Sequence, residues 1–211
     1  MPYAVKELFL TLQGEGARAG RAAVFCRFAG CNLWSGREED RGSAACRFCD
    51  TDFVGLDGPG GGRFADAHAL ADAIEAAWSG GVEDRYVVFT GGEPLLQLDA
   101  ALIEAVHARS FEAAVETNGT FDAPPTLDWV TVSPKGGAPW RLRTGSELKL
   151  VFPQPGLLPD ALPDGLAFAH RWLQPMDGPD RAANTAAAVA YCLAHPGWRL
   201  SLQTNKLIGI P

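Results

Sequence analysis

A chain of 211 residues can bury one good core but is short for two, and no linker-like stretch divides it, so a single domain is expected. A formal charge of -7 and a pI near 5.1 give no basic footprint for gripping nucleic acid or an acidic membrane surface, and no stretch approaches the length of a membrane span. Small molecules are therefore the expected partners, with no nucleic acid and no membrane.

Apolar runs mark candidate strands at 5–12, 22–29, 86–90, 113–116, 129–133, 148–152, 168–173 and 198–202. Helical periodicity runs through Leu70, Ile74 and Trp78, through Leu98, Leu102 and Val106, and through Ala182, Ala186, Val189 and Leu193. The run Gly58-Pro59-Gly60-Gly61-Gly62 reads as a flexible loop before the first helix. Early alternation of strand and helix implies parallel strands with crossovers, whereas the segments after Ser133 and Phe152 are rich in Gly and Pro and offer little helix. A complete (β/α)8 barrel needs about 250 residues. The expected fold class is therefore α/β, as a partial, helix-poor barrel open on one side.

Cysteines supply the first chemical signal. Cys31, Cys46 and Cys49 follow the second strand as C-x14-C-x2-C, three thiolates in one loop at a strand's end. Four thiolates close a cubane cluster or a tetrahedral zinc, whereas three leave one iron open to a ligand that reacts. Cys26 could complete a four-cysteine zinc site, which would make the chain a zinc-stabilised binding module. Strand alternation argues otherwise: Val24, Cys26 and Phe28 share one face and Phe25, Arg27 and Ala29 the other, so Cys26 sits where a small core residue would. Five cysteines, odd in number, suit metal ligation in a reducing compartment better than a disulfide framework. The N-terminal residues lack a charged segment followed by an apolar run, and a cytoplasmic protein is expected. Cys192 reads as helix packing, and His68, His107, His170 and His195 show no metal spacing to the cysteines.

The strand at 86–90 ends in Gly91-Gly92-Glu93-Pro94, where two glycines admit close approach of a ligand and carbonyls plus a carboxylate could receive an ammonium group. Alone this is a common turn. Together with the cysteine loop it resembles the radical S-adenosylmethionine superfamily, whose usual cysteine spacing is x3 then x2. The departure to x14, the sequence Cys49-Asp50-Thr51-Asp52 and the opening Leu12-Gln13-Gly14-Glu15-Gly16 resemble one subfamily, the 7-carboxy-7-deazaguanine synthases of the queuosine pathway.

That resemblance implies a (β/α)6-type radical S-adenosylmethionine barrel over residues 1–211 with an extended cluster-binding loop at 32–45. It implies radical ring contraction of 6-carboxy-5,6,7,8-tetrahydropterin to 7-carboxy-7-deazaguanine with loss of ammonia, using a 4Fe-4S cluster, S-adenosyl-L-methionine and Mg2+. By resemblance, Cys31, Cys46 and Cys49 hold the cluster and Thr51 the magnesium. Phe48, Asp50, Gly92, Glu93, Ser133, Lys135, Gln174, Pro175, Met176 and Asp177 would bind S-adenosyl-L-methionine. Leu12, Gln13, Gly14, Glu15, Arg27, Thr90, Glu116 and Pro211 would meet the substrate. Arg27, opposite Cys26 on its strand, would point into the lumen toward the pterin carboxylate, the alternative being an ion pair with Glu15 or Glu116. An electron donor such as flavodoxin and a homodimer are further expectations of the family. Glycyl-radical activating enzymes share the cluster and the Gly-Gly-Glu-Pro turn, but the Gln13-Gly14-Glu15-Gly16 start, Arg27 and Thr51 favour the pterin.

Overall fold

The computed structural model describes residues 2–211. Its strands are β1 (Tyr3–Leu12), β2 (Ala22–Phe28), β3 (Gly62–Phe64), β4 (Tyr86–Gly91), β5 (Glu112–Thr117), β6 (Trp129–Val132), β7 (Thr144–Phe152), β8 (Ala167–Pro175) and β9 (Arg199–Leu200). Helices α1 (Ala67–Ala77), α2 (Ala100–His107), α3 (Arg181–Ala194) and α4 (Thr204–Ile208) complete the fold. All nine strands join one open sheet in the order β3-β1-β2-β4-β5-β6-β7-β8-β9. Every pairing from β2 through β9 is parallel, while β1 runs antiparallel to both β2 and β3. The result is a partial barrel with few helices, and no α-helix joins β5 to β6, β6 to β7 or β7 to β8.

Side-chain alternation sorts the two faces of the sheet. One face carries Val24, Cys26, Phe28, Val87, Phe89 and Val115, packed with Leu70, Ile74, Leu102, Ile103 and Val106 into the larger core. Further along, Leu148, Leu150 and Leu173 pack with Ala188 and Trp198 beneath α3. Residues one step away along the same strands, Arg27, Thr90, Glu116, Lys149 and Gln174, line the opposite, concave face. Asp66 and Asp99 begin α1 and α2 by accepting hydrogen bonds from the Ala69 and Leu102 amides. The second helix starts later than its periodicity suggests because Pro94–Leu96 form a 3-10 turn, which leaves the buried Leu98 ahead of the helix.

Two elements differ from expectation, and Cys26 meets it. The glycine run is not a flexible loop: Leu8 donates its amide to the Pro59 carbonyl at 2.7 Å, Gly58 donates to Lys6 at 3.0 Å, and Gly62 begins β3. A Cβ on Gly61 would sit 2.2 Å from the Lys6 carbonyl oxygen, so only glycine lets this segment lie against β1. The last strand shrinks to two residues, and polar Gln203 to Lys206 turn into α4 instead of extending it. Cys26 is 0 % exposed in the larger core, where burial pushes its thiol far above the ordinary range. It faces the helices while Cys31, Cys46 and Cys49 face the cavity, which overturns the four-cysteine zinc module. All five cysteines are free thiols, and among the described residues no helix is long and apolar enough to cross a membrane.

Candidate active site

A cavity of about 340 Å³ opens on the concave face, where the parallel strands end. Its walls come from the cysteine loop, the polar strand ends and the C-terminal segment. Every site residue expected from the sequence lines it except Glu93.

On the cysteine side, the Cys31 sulfur accepts the Leu33 amide at 3.4 Å. Cys46 and Cys49 share a hydrogen bond, which brings Cys49 down to about 6 and pushes Cys46 up. Lys135 is half-buried close by, donating to the Ser133 carbonyl at 2.5 Å and to its hydroxyl at 2.8 Å. Burial lowers the Lys135 pKa, while the charges of Cys46, Cys49 and Glu93 work in the opposite direction. Three thiols beside a half-buried ammonium are a soft, electrostatically matched donor set for an iron-sulfur cluster. Among the described residues no three His, Cys, Asp or Glu side chains converge as ligands of a single ion. A cubane does not need that convergence, since each thiolate meets a different iron.

Gly92 lies directly against this loop. A Cβ there would come 2.2 Å from the Gly30 carbonyl oxygen and 2.6 Å from the Cys31 Cβ. Glu93 corrects the expectation of an ammonium receptor. It is 0 % exposed and lies outside the cavity lining, with Oε1 accepting the Leu95 amide at 3.0 Å and the Thr117 hydroxyl at 2.7 Å, and Oε2 accepting the Asn118 amide at 2.8 Å. Burial raises its pKa, and those three hydrogen bonds pull the other way. The carboxylate thus ties the end of β4 to the end of β5 beneath the site. Asn118 continues the tie, donating to Asn32 at 3.0 Å, and Asn32 donates to Thr120 at 2.9 Å.

Deeper in the cavity, two carboxylates share one ammonium. Lys149 donates to Glu116 at 2.8 Å and to Glu15. Gln174 and Gln203 donate to Glu15 at 2.9 and 3.0 Å, and Gln13 donates to Glu116 at 3.3 Å. Burial works against the charge on Lys149, but the two carboxylates outweigh it and hold its proton more firmly than on an ordinary lysine. Burial would also raise Glu15, yet Lys149 and Gln203 bring it below the usual range. Glu116 goes the other way: burial pushes it up to about 7, with Lys149 opposing and Glu15 reinforcing the rise.

Arg27 does enter the cavity, but its partner is Glu7, whose Oε1 accepts from Nε at 2.6 Å, and not Glu15 or Glu116. Thr90, Leu12, Gly14 and Thr51 line the same space, and Phe48, Pro175 and Met176 give it apolar surface. Above them, Lys206 donates to Asp50 and to Asp177, each at 2.6 Å, joining the cysteine loop to the end of β8. The Thr204 hydroxyl reaches the Gly14 carbonyl at 2.8 Å, and Pro211 lies in the lining with its carbonyl accepting from the Thr11 hydroxyl at 2.8 Å.

Sequence reasoning missed Glu7 and Lys149 and gave no role to Asn118, Gln203 or Lys206. Lys149 carried a signal: a lysine between Leu148 and Leu150 on a strand whose leucines face a core must point to the other face. Glu7 carried none, because its partner depends on how β1 registers against β2.

The Radical SAM superfamily pattern matches residues 41–139, a span that includes Cys46, Cys49 and the Gly-Gly-Glu-Pro turn. The chain is 70 % identical over 211 residues to a 7-carboxy-7-deazaguanine synthase of Bordetella pertussis, covering 100 % of both chains. It is 64 % identical over 211 residues to one of Caulobacter vibrioides, again with 100 % of both covered. The crystal structure of QueE from Escherichia coli superposes with a TM-score of 0.68 at 26 % identity, covering 96 % of this chain and 94 % of that one. Fold, cysteine geometry and full-length similarity agree, and the chain belongs to the 7-carboxy-7-deazaguanine synthase family of the radical S-adenosylmethionine superfamily.

Proposed function

We propose that this chain is the enzyme that contracts the ring of 6-carboxy-5,6,7,8-tetrahydropterin to 7-carboxy-7-deazaguanine with loss of ammonia. The observation that carries the reading is the meeting in one cavity of three cysteines, Gly92 and the Arg27, Glu116 and Lys149 set. Membership of the family brings a 4Fe-4S cluster and S-adenosylmethionine, which when bound supply one-electron chemistry and hydrogen-atom abstraction from the substrate.

The chain's own residues do the rest. Cys31, Cys46 and Cys49, which flank the extended loop at 32–45, would hold the cluster, and Lys135 would offset their charge. Gly92 leaves room beside Cys31, and Phe48, Asp50, Ser133 and the segment Gln174 to Asp177 wall the nucleoside side. A pterin presents a flat edge of N–H donors and a ring carbonyl, which Gln13, Glu15 and Glu116 can match with acceptors and one amide donor. Arg27 offers its guanidinium to the substrate carboxylate beside Glu7. Because Glu116 changes charge near neutrality, it can accept or return a proton at that edge. The Thr51 hydroxyl would hold Mg2+, which would supply a Lewis acid toward the substrate. The roof from Gln203 to Pro211 limits water. A separate electron donor such as flavodoxin, a homodimeric assembly and a cytoplasmic location complete the proposal.

The test is an anaerobic incubation of reduced protein with S-adenosylmethionine, Mg2+ and 6-carboxytetrahydropterin, followed by mass analysis. The deazapurine acid and ammonia are expected. Protein that cleaves S-adenosylmethionine yet yields neither product would sink this reading.

A further inference from the structure

We infer that Arg41, in the middle of the long insertion between Cys31 and Cys46, is a positioning residue that holds the Cys46–Cys49 turn in the geometry its ligands need. This rests on those cysteines being the cluster ligands.

The insertion forms a folded arch with its own small core. Trp34, 7 % exposed, meets Phe53 edge-on with centroids 5.6 Å apart, and its indole N–H donates to the Arg37 carbonyl at 3.0 Å. Leu33 accepts the Ala45 amide at 3.1 Å, which closes the arch at its base. Over this platform the Arg41 guanidinium lies 4.0 Å from the Trp34 ring centroid. Glu38 fixes one edge of the guanidinium, accepting Nε at 2.7 Å and Nη2 at 2.6 Å. The remaining edge turns inward, where Nη1 donates to the Arg47 carbonyl at 2.9 Å and to the Cys49 carbonyl at 3.1 Å. The Arg47 carbonyl lies within the turn between Cys46 and Cys49, and the other belongs to Cys49 itself.

A planar cation fixed on three sides therefore grips the backbone between two ligands, and it does so from the segment that makes the cysteine spacing unusual. A loop without regular strand or α-helix has no ladder to set its carbonyls, so a side chain supplies the order. The Arg37 guanidinium, in the same arch, pairs only with Glu39 at 3.7 Å, which makes its side chain the natural control.

The test compares full-length wild type with Arg41→Ala, Arg41→Lys and Arg37→Ala. The rate of iron loss from anaerobic protein to a ferrous chelator is followed by cluster absorbance, and backbone amide exchange by mass spectrometry. Arg41→Ala should lose iron several-fold faster, about three- to tenfold for a pair of modest hydrogen bonds, with faster exchange confined to residues 44–50. Arg41→Lys should be nearly as fast, since an ammonium cannot span Glu38 and both carbonyls, and Arg37→Ala should match wild type. Wild-type iron retention in Arg41→Ala overturns the inference, as does equal damage from Arg37→Ala or exchange raised across the whole sheet. Wild-type protein that holds no iron would instead defeat the family reading, a result the exchange data keep separate.

Discussion

Lys149 illustrates how much a single side chain controls here. Among the described residues it is the one cation bonded to both Glu15 and Glu116, and it is 4 % exposed. Lys149→Met should leave two half-buried carboxylates uncompensated and destabilise the fold by about 3 kcal/mol at pH 8. The loss should shrink as pH falls. Without the lysine both carboxyls titrate above their unfolded value, the native state binds more protons, and stability rises as pH drops through that window. Denaturant unfolding at pH 8 and pH 5.5 checks this, and an equal loss at both pH values would refute the electrostatic account. Cys26 gives the contrast. Cys26→Ala should cost about 1 kcal/mol as a small cavity while iron content stays at the wild-type level. Cys31→Ala, Cys46→Ala and Cys49→Ala should each abolish cluster binding, measured as iron per chain.

Between residue and whole, the turn after β4 shows why a local motif can be read correctly and its parts assigned wrongly. The Gly-Gly-Glu-Pro sequence signalled a ligand-facing strand end, and Gly92 does face the cavity. Glu93 looked equally available, because sequence cannot show that β5 brings the Thr117 hydroxyl and the Asn118 amide onto both carboxylate oxygens. Glu93→Ala should leave those donors and the Leu95 amide unpaired, costing about 2 kcal/mol, and should loosen β4 from β5 in amide exchange. Unchanged protection at Leu95 and Asn118 would mean the tie is dispensable. Strands were legible wherever alternation or apolar runs were long, as in β1, β2, β4 and β5. The short β3 and the trimmed β9 were not, since two or three residues carry no period and depend on a neighbour for pairing. The cavity lining was legible because polar groups followed strand ends, whereas the partners Glu7 and Lys206 are fixed only by register and by the path of the C-terminal segment.

Over the whole molecule, the cavity is closed by segments far apart in the chain. Lys206 pairs with Asp50 across 156 residues and with Asp177 across 29. Burial would raise Asp50, but Lys206 lowers both it and Asp177 below the ordinary 3.8, and both aspartates hold the Lys206 proton above 10.5. Depressed carboxyls contribute stability above their unfolded value and lose it as pH falls through the folded one. The raised lysine contributes below 10.5 and loses its share as pH rises past it. Lys206→Met should therefore lower the melting temperature most between about pH 5 and 10 and converge with wild type as pH falls through the depressed folded values of Asp50 and Asp177. A constant difference across that range would argue for lost packing instead. The same arrangement imposes an order on biosynthesis. Translation delivers Cys31, Cys46 and Cys49 long before Gln203 and Lys206, so a nascent chain has the wall of the cavity before the segment that roofs it exists. Closing the chamber is thus left to the last residues made.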